Sequence, residues 1–241
     1  MAPFLRRLLG SSAPLSIGSF PAPRDLRPLT DDERAATDAF HRAYYDAWRD
    51  KRFTIDLSWF GHRTLKCPMD LWTYQEILVE TKPDLVVECG TRFGGSAYYI
   101  ASILDLLGHG RVLTIDIDTA PSRPSHPRIE YVAGSTVDPE VLERVRKAAR
   151  GQRTMVILDS DHAEEHVFAE LRAYREVVSV GCYLIVEDTN VNGHPARPDF
   201  GPGPMEALDR FLATADDYVV DADRERFMMT LNPRGFLRRV R

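Results

Sequence analysis

From residue 84 onward the chain alternates short apolar runs with helical stretches, and this alternation constrains the fold more than any other feature. "DLVVECG", "GRVLTIDID", "RIEYVAG", "TMVILDSD" and "CYLIVEDTN" are apolar runs bounded by turn formers, the pattern of buried strands. "GGSAYYIASILDLLG", "DPEVLERVRKAARG" and "HAEEHVFAELRAYREVV" read as helices, the second with Pro139 in its first turn and Gly151 at its end. Strands joined through helices form a parallel, doubly wound α/β sheet. The tail breaks the rule. "GPMEALDRFLA" reads as a helix and "YVVDADRERFMMTL" as two strands joined by a polar turn, which predicts an antiparallel pair at the sheet's end.

Upstream, "DDERAATDAFHRAYYDAWRD" follows Thr30, a good N-cap, and reads as a helix over 31–50. A loop around Gly61 to Pro68 leads to a second helix, from about Asp70 as cap to Glu80. Residues 1–30 are rich in Pro, Ser and Arg and read as an irregular arm. The expected organisation is an arm and helix over 1–60 and one large α/β domain over 61–241.

Composition narrows the partners. A net charge of −5 gives no reason to expect nucleic acid. No apolar run is long enough to span a bilayer, and the opening "MAPFLRRLLGSSAPLS" lacks a hydrophobic segment for export. Cys67, Cys89 and Cys182 show no metal-ligand spacing and read as reduced, mostly buried thiols of a cytoplasmic protein.

In an open α/β sheet ligands bind beyond the carboxyl ends of the strands. Five strand ends here carry polar groups: Glu88–Gly90, Asp116–Asp118, Gly134–Ser135, Asp159–His162 and Glu187–Asn190. The first turn, "VVECGTRFGGS", is no dinucleotide fingerprint, because Glu88 stands where the first glycine belongs. Nor is it a phosphate-binding loop, since no G-K-[ST] ends it. A carboxylate beside such a turn would repel a pyrophosphate but suits a ligand with an ammonium group. S-adenosylmethionine carries one, together with a sulfonium. Asp116, or else Asp118, would accept the ribose hydroxyls, and "AGST", with Ser135, would lie against an adenine. "LDSDHAEEHV" and "IVEDTN" end two further strands in acids, as a metal or acid/base site would.

Four segments together, "MDLWTYQEILVETKPDLVVECGTRFGGSA", "LDSDHAEEHV", "IVEDTNVNGHP" and "GPGPMEAL", resemble the family of cephalosporin hydroxylase-like and rhamnosyl O-methyltransferases. The likeness covers roughly residues 64–215. It implies a Rossmann-like class I methyltransferase with a seven-stranded sheet, S-adenosylmethionine as donor and a bound Mg²⁺. It implies a donor site drawn from the turn residues Glu88, Gly90, Thr91, Gly94 and Ser96, with Asp116, Ser135, Lys66 and Asp159 around them. In the family pattern Asp159, Glu187 and Asp188 are the metal ligands. Adjacent strand residues point to opposite faces, so Glu187 and Asp188 can both ligate only if the strand has begun to turn. Asn190 or Asp161 could replace one of them. His162 stands where the more distant catechol-type enzymes place their catalytic lysine, and is assigned as general base with Asp161 as alternative.

The long Gly- and Pro-rich stretch "VNGHPARPDFGPGPMEAL" reads as an acceptor loop, contributing His194, Arg197, Asp199 and Phe200. His166 and Asn190 are further acceptor candidates, and Trp59, His62, Arg63, Lys66 and Tyr74 an opposite wall. The first 60 residues would cap this side. Rings beside polar groups suit a sugar. Family members methylate sugar hydroxyls or small hydroxylated natural products. The expected activity is therefore methyl transfer to a sugar or oligosaccharide hydroxyl, as in methylmannose-type polysaccharides or glycolipids, with a small antibiotic intermediate second. A homo-oligomer is left open.

Overall fold

The computed structural model describes residues 17–18, 28–50, 57–119 and 122–241. Most of the expected arm, and the segment 51–56 beside the expected domain boundary, lie outside the described residues. The first element is α1 (Asp31–Arg49). Thr30 Oγ1 accepts from the Glu33 amide at 3.3 Å, and Glu33 Oε2 accepts from the Thr30 amide at 2.9 Å. Such a reciprocal cap stabilises a helix start by about 1 kcal/mol.

A small hairpin follows, β1 (Ser58–Trp59) with β2 (His62–Arg63), where a plain loop was expected. Its two-residue turn, Phe60-Gly61, has φ of +49° and +82°, the conformation that matches the twist of paired strands. Next comes α2 (Pro68–Thr81). It starts at Pro68, with Cys67 before it, so Asp70 is not the cap. The Asp70 carboxylate instead accepts from Thr230 Oγ1 at 2.5 Å and from the Leu231 amide at 3.0 Å.

The main sheet is built from β3 (Leu85–Cys89), β4 (Arg111–Asp116), β5 (Ile129–Ala133), β6 (Thr154–Leu158), β7 (Tyr183–Val186), β8 (Tyr218–Val220) and β9 (Phe236–Arg239). Their order is β5-β4-β3-β6-β7-β9-β8, with β9 antiparallel to both neighbours and the other pairings parallel. The helices α3 (Gly95–Leu107), α4 (Pro139–Ala149), α5 (Glu164–Tyr174) and α6 (Pro204–Leu212) complete the fold. Every residue of β3, β6 and β7 is buried. Each fully buried Val, Leu or Ile contributes about 1.5–3 kcal/mol over an exposed one. After β3 the chain winds outward through β4 to β5, then returns to place β6 on the other side of β3. The carboxyl ends of β3 and β6 therefore mark the switch point, where a crevice must open.

The tail departs from expectation. β8 is as predicted, but its partner is β9, not the "RFMMTL" segment. A 3₁₀ turn, Ala222–Glu225, follows β8. The stretch beyond it cannot join a ladder because its polar groups are committed elsewhere. Thr230 and Leu231 serve Asp70, while Asn232 Oδ1 accepts from the Asp188 amide at 3.0 Å and its amide donates to Tyr74. β9 inserts because Phe236 and Leu237 are apolar enough to be buried fully beside β7.

Candidate active site

A cavity of about 640 Å³ opens at the switch point. One end is framed by Gly90, Arg92, Asp116, Ile117, Asp118 and the Gly134–Thr136 turn. At Gly90, φ is +95° and an added Cβ would lie 1.8 Å from the Asp159 carbonyl oxygen. Glycine is thus required to bring the ends of β3 and β6 together. Asp116 is well ordered by its neighbours: Oδ2 accepts from the Arg92 amide at 2.7 Å, Oδ1 from the Asp118 amide at 2.9 Å, and Arg123 lies 3.3 Å away. Ser135 lines the same end.

Four expected donor-site residues lie beneath the cavity rather than on its wall. Glu88 is fully buried, with Oε1 accepting from Ser96 and Oε2 from Thr114, both at 2.5 Å. Thr91 shares a hydrogen bond of 2.7 Å with Thr114, so these side chains brace the turn from below. Burial raises the Glu88 pKa, against the pull of Lys66 and the two hydroxyls. Gly94 precedes α3 with φ +76°, where a Cβ would meet Pro124 and Tyr131 at 3.0 Å. Its lack of a side chain serves loop packing.

The middle of the cavity holds the acids. β7 ends at Val186, and Asp188 has φ +53°, so the strand has turned before its acids are presented. That turn separates them. Glu187 Oε1 accepts from Lys66 Nζ at 2.5 Å and from the Tyr74 hydroxyl at 2.7 Å. Asp188 Oδ2 instead lies 2.9 Å from His162 Nε2. Asp159 faces both ways: Oδ2 accepts from Lys66, and Oδ1 lies 3.4 Å from His162 Nε2. Asp159, His162 and Asp188 each offer one ligand atom within 4.8 Å of the others, the one such group found among the described residues.

His162 stands just before α5, in a turn where Asp161 Oδ1 accepts from the Ala163 amide at 2.8 Å. Burial would lower the imidazole pKa, but Asp188 and Asp159 outweigh it and raise the pKa well above the ordinary value. Burial, then the Asp159 charge, pushes Glu187 up, while Lys66 holds Asp159 below the usual carboxylate range against its own burial. Asp70, also on the cavity wall, is raised to about 6 by burial.

His166 reaches the cavity, 3.1 Å from Thr136 Oγ1 and 3.6 Å from Glu170. Asn190 and His194 do not line it. Asn190 is buried against His41, and His194 lies 3.0 Å from Glu206 Oε1 in the loop before α6. The far wall is made by Tyr44, Tyr45 and Trp48 of α1, with Leu65 and Leu231. Trp59 and His62 lie elsewhere, on α3: Trp59 Nε1 donates to Ser102 at 3.1 Å, and His62 packs on Tyr98. Tyr74 is buried behind Glu187. The sequence carried a signal for the true wall, since positions 41, 44, 45 and 48 form one helical face.

This sheet, with its antiparallel end and strand-end acids around a switch-point cavity, is that of the Rossmann-like methyltransferases. The family model described as Rhamnosyl O-methyltransferase/CmcI matches residues 51–240, and the chain belongs to that family of O-methyltransferases. A rhamnosyl O-methyltransferase of Mycobacterium tuberculosis (strain ATCC 25618 / H37Rv) is 39% identical over 231 residues, 92% of this chain and 90% of the relative. One from Mycobacterium leprae (strain TN) is 37% identical over 207 residues, 82% and 88% of the two chains. A CmcI apo-structure superposes with a TM-score of 0.62 at 24% identity, covering 98% of this chain and 94% of the other. A CmcI structure with Mg and SAM gives 0.61 at 21% identity, covering 98% and 95%. These two likenesses carry the fold.

Proposed function

We propose that this chain methylates a hydroxyl of a neutral sugar, at a site where Mg²⁺ is held by Asp159 and Asp188 and His162 takes the proton. The observation that carries the reading is the convergence of Asp159, Asp188 and His162 in the one cavity that Asp116 and the aromatic residues of α1 also line. The donor set fits the ion. Carboxylate oxygens suit Mg²⁺, and His162 Nε2 is buried with no hydrogen bond of good geometry, aimed at the two acids. Glu187 lines the same cavity, bound by Lys66 and Tyr74. When bound, the cation would supply positive charge that favours ionisation of the hydroxyl.

The donor end is the Asp116 end. There Asp116 and Asp118 offer acceptors for ribose hydroxyls, and Ser135 and Thr136 line the wall where an adenine would lie. The acceptor enters from α1. The wall of Tyr44, Tyr45, Trp48, Leu65 and Leu231 carries no charge, so a sugar's apolar face can stack there while its hydroxyls reach the acids. An anionic sugar would meet Asp70, Asp159, Asp161 and Asp188 on the same cavity wall. His162 Nε2 then accepts the proton of a hydroxyl that binds beside it and the two carboxylates. Those carboxylates favour the imidazolium, so the base role requires that their charge be balanced. The mycobacterial relatives are rhamnosyl O-methyltransferases, which supports a sugar hydroxyl as acceptor.

The test is a methyl-transfer screen with labelled donor over rhamnosides, mannosides, glucosides and small hydroxylated natural products, each with Mg²⁺ or with chelator. Labelled neutral glycosides, only in the presence of the ion, are the expected result. Turnover of non-sugar phenols alone would replace the acceptor class. Full turnover under exhaustive chelation would remove the metal.

A further inference from the structure

Lys66 reaches the acids from the loop between β2 and α2, and its side chain is only 3% exposed. Its ammonium bridges two strand ends, donating to Asp159 beyond β6 and to Glu187 beyond β7. An ammonium buried this far needs opposite charges around it, and both of its bonds go to carboxylates. The site therefore contains its own permanent cation, bonded to two of the three acids that the family pattern assigns to a metal. The bonds use one oxygen of each carboxylate. Asp159 Oδ1 and Asp188 Oδ2 remain turned to His162.

We infer that Lys66 is an internal counter-cation that sets how tightly the active site holds its divalent ion. This rests on the proposal that a divalent ion binds at Asp159 and Asp188. The lysine's single charge is shared between Asp159 and Glu187, so an incoming ion meets about two carboxylate charges where the three acids alone would offer three. Oxygen sites gain affinity for hard cations as the number of ligand charges rises. An ammonium bonded to a ligand also repels a divalent ion directly. Lys66 thus keeps the acids aligned, as a metal would, while leaving the metal weakly held and exchangeable. A lysine that merely pinned the strands would act in the opposite sense, because its loss would splay the ligands and weaken the metal.

The experiment is Mn²⁺ binding to the full chain, followed by electron paramagnetic resonance and calorimetry, with neither donor nor acceptor present. Lys66→Gln is expected to bind Mn²⁺ about tenfold or more tighter than wild type, and Lys66→Arg, which keeps the charge, to stay within about threefold. In chelator, Lys66→Gln should melt below wild type, and Mn²⁺ should raise its melting temperature by the larger amount. Mn²⁺ affinity in Lys66→Gln equal to or below wild type overturns the inference, while the metal reading stands if wild type binds. If neither protein binds Mn²⁺, both fail. Should Lys66→Gln not fold, the double variant Lys66→Gln, Glu187→Gln removes the pair without changing net charge. It still frees Asp159, so it too must bind Mn²⁺ more tightly than wild type, and equal or weaker binding overturns the inference.

Discussion

The side-chain amide of Asn190 meets His41 Nε2 at 2.9 Å, joining positions 149 residues apart. Both side chains are buried, and the bond fastens α1 to the turn that follows β7. Tyr45, Val191 and Ala196 form a small apolar cluster beside it, with Trp48, Phe200 and Leu231 packed around. These contacts bring the aromatic face of an early helix to the edge of a cavity built by strand ends far along the chain.

The first prediction concerns pH. His41 must be neutral to accept the Asn190 amide, and burial, countered in part by Asp38, lowers its pKa to about 4. In the unfolded chain the ring takes up a proton near pH 6.5. Between those values the unfolded state binds the extra proton, so stability is intact above about 6.5 and falls as pH drops toward 4. The loss is about 1–3 kcal/mol across that window. Chemical denaturation at several pH values should show this slope, and His41→Gln should flatten it. An equal slope in a folded variant would assign the acid sensitivity to other groups.

The second prediction tests the donor end. Asp116 is held by two backbone amides and lines the cavity. Asp116→Ala removes the acceptor for the ribose hydroxyls and releases the Arg92 amide as well. Affinity for S-adenosylhomocysteine, read by calorimetry, should fall about tenfold or more, near 1.4 kcal/mol. Unchanged affinity would place the ribose elsewhere, with Asp118 the next residue to test.

The sheet was legible because its signal is local. Each buried strand is an apolar run, and β3 through β7 fall where the runs fall. The site's polar residues were legible as strand ends, and the doubly wound order then gathers Asp116, Ser135, Asp159, Glu187 and Asp188 around one cavity. What stayed hidden depended on partners distant in sequence. The different surroundings of Glu187 and Asp188 come from the positive φ of Asp188, which no single-residue preference announces. The role of Lys66 needs two acids 93 and 121 residues away. Residues 226–231 resemble a strand, yet their polar groups are taken by Asp70, and β9 fills the place beside β7.

The third prediction addresses the acceptor wall. Trp48 lines the cavity at the α1 end and packs on Tyr45, with ring centroids 5.5 Å apart. Trp48→Ala should raise the acceptor KM about tenfold through lost stacking, with donor affinity unchanged. Trp59→Ala, at a ring packed on Tyr99 and away from the cavity, should leave the acceptor KM unchanged at temperatures where the variant is folded. The reverse ranking would restore the hairpin β1–β2 as the acceptor wall.

The last prediction separates the two histidines of α5 and its approach. His162 Nε2 faces Asp159 and Asp188, whereas His166 Nε2 faces Thr136 and Glu170. Only the first lies where a hydroxyl bound beside the two acids could hand over its proton. His162→Ala should lower kcat by roughly 10²–10⁴-fold, the usual size of general-base catalysis. Donor affinity should hold, because His162 lies among the acids and away from the Asp116 end. In wild type, kcat should rise with pH as the imidazolium is lost, and this limb should vanish in His162→Ala. His166→Ala should cost far less in kcat and keep the limb. If His166→Ala proves the more damaging while folded and still binding donor, the two exchange roles. If neither changes kcat, the proton leaves by another route, with Asp161 on the cavity wall the next residue to test.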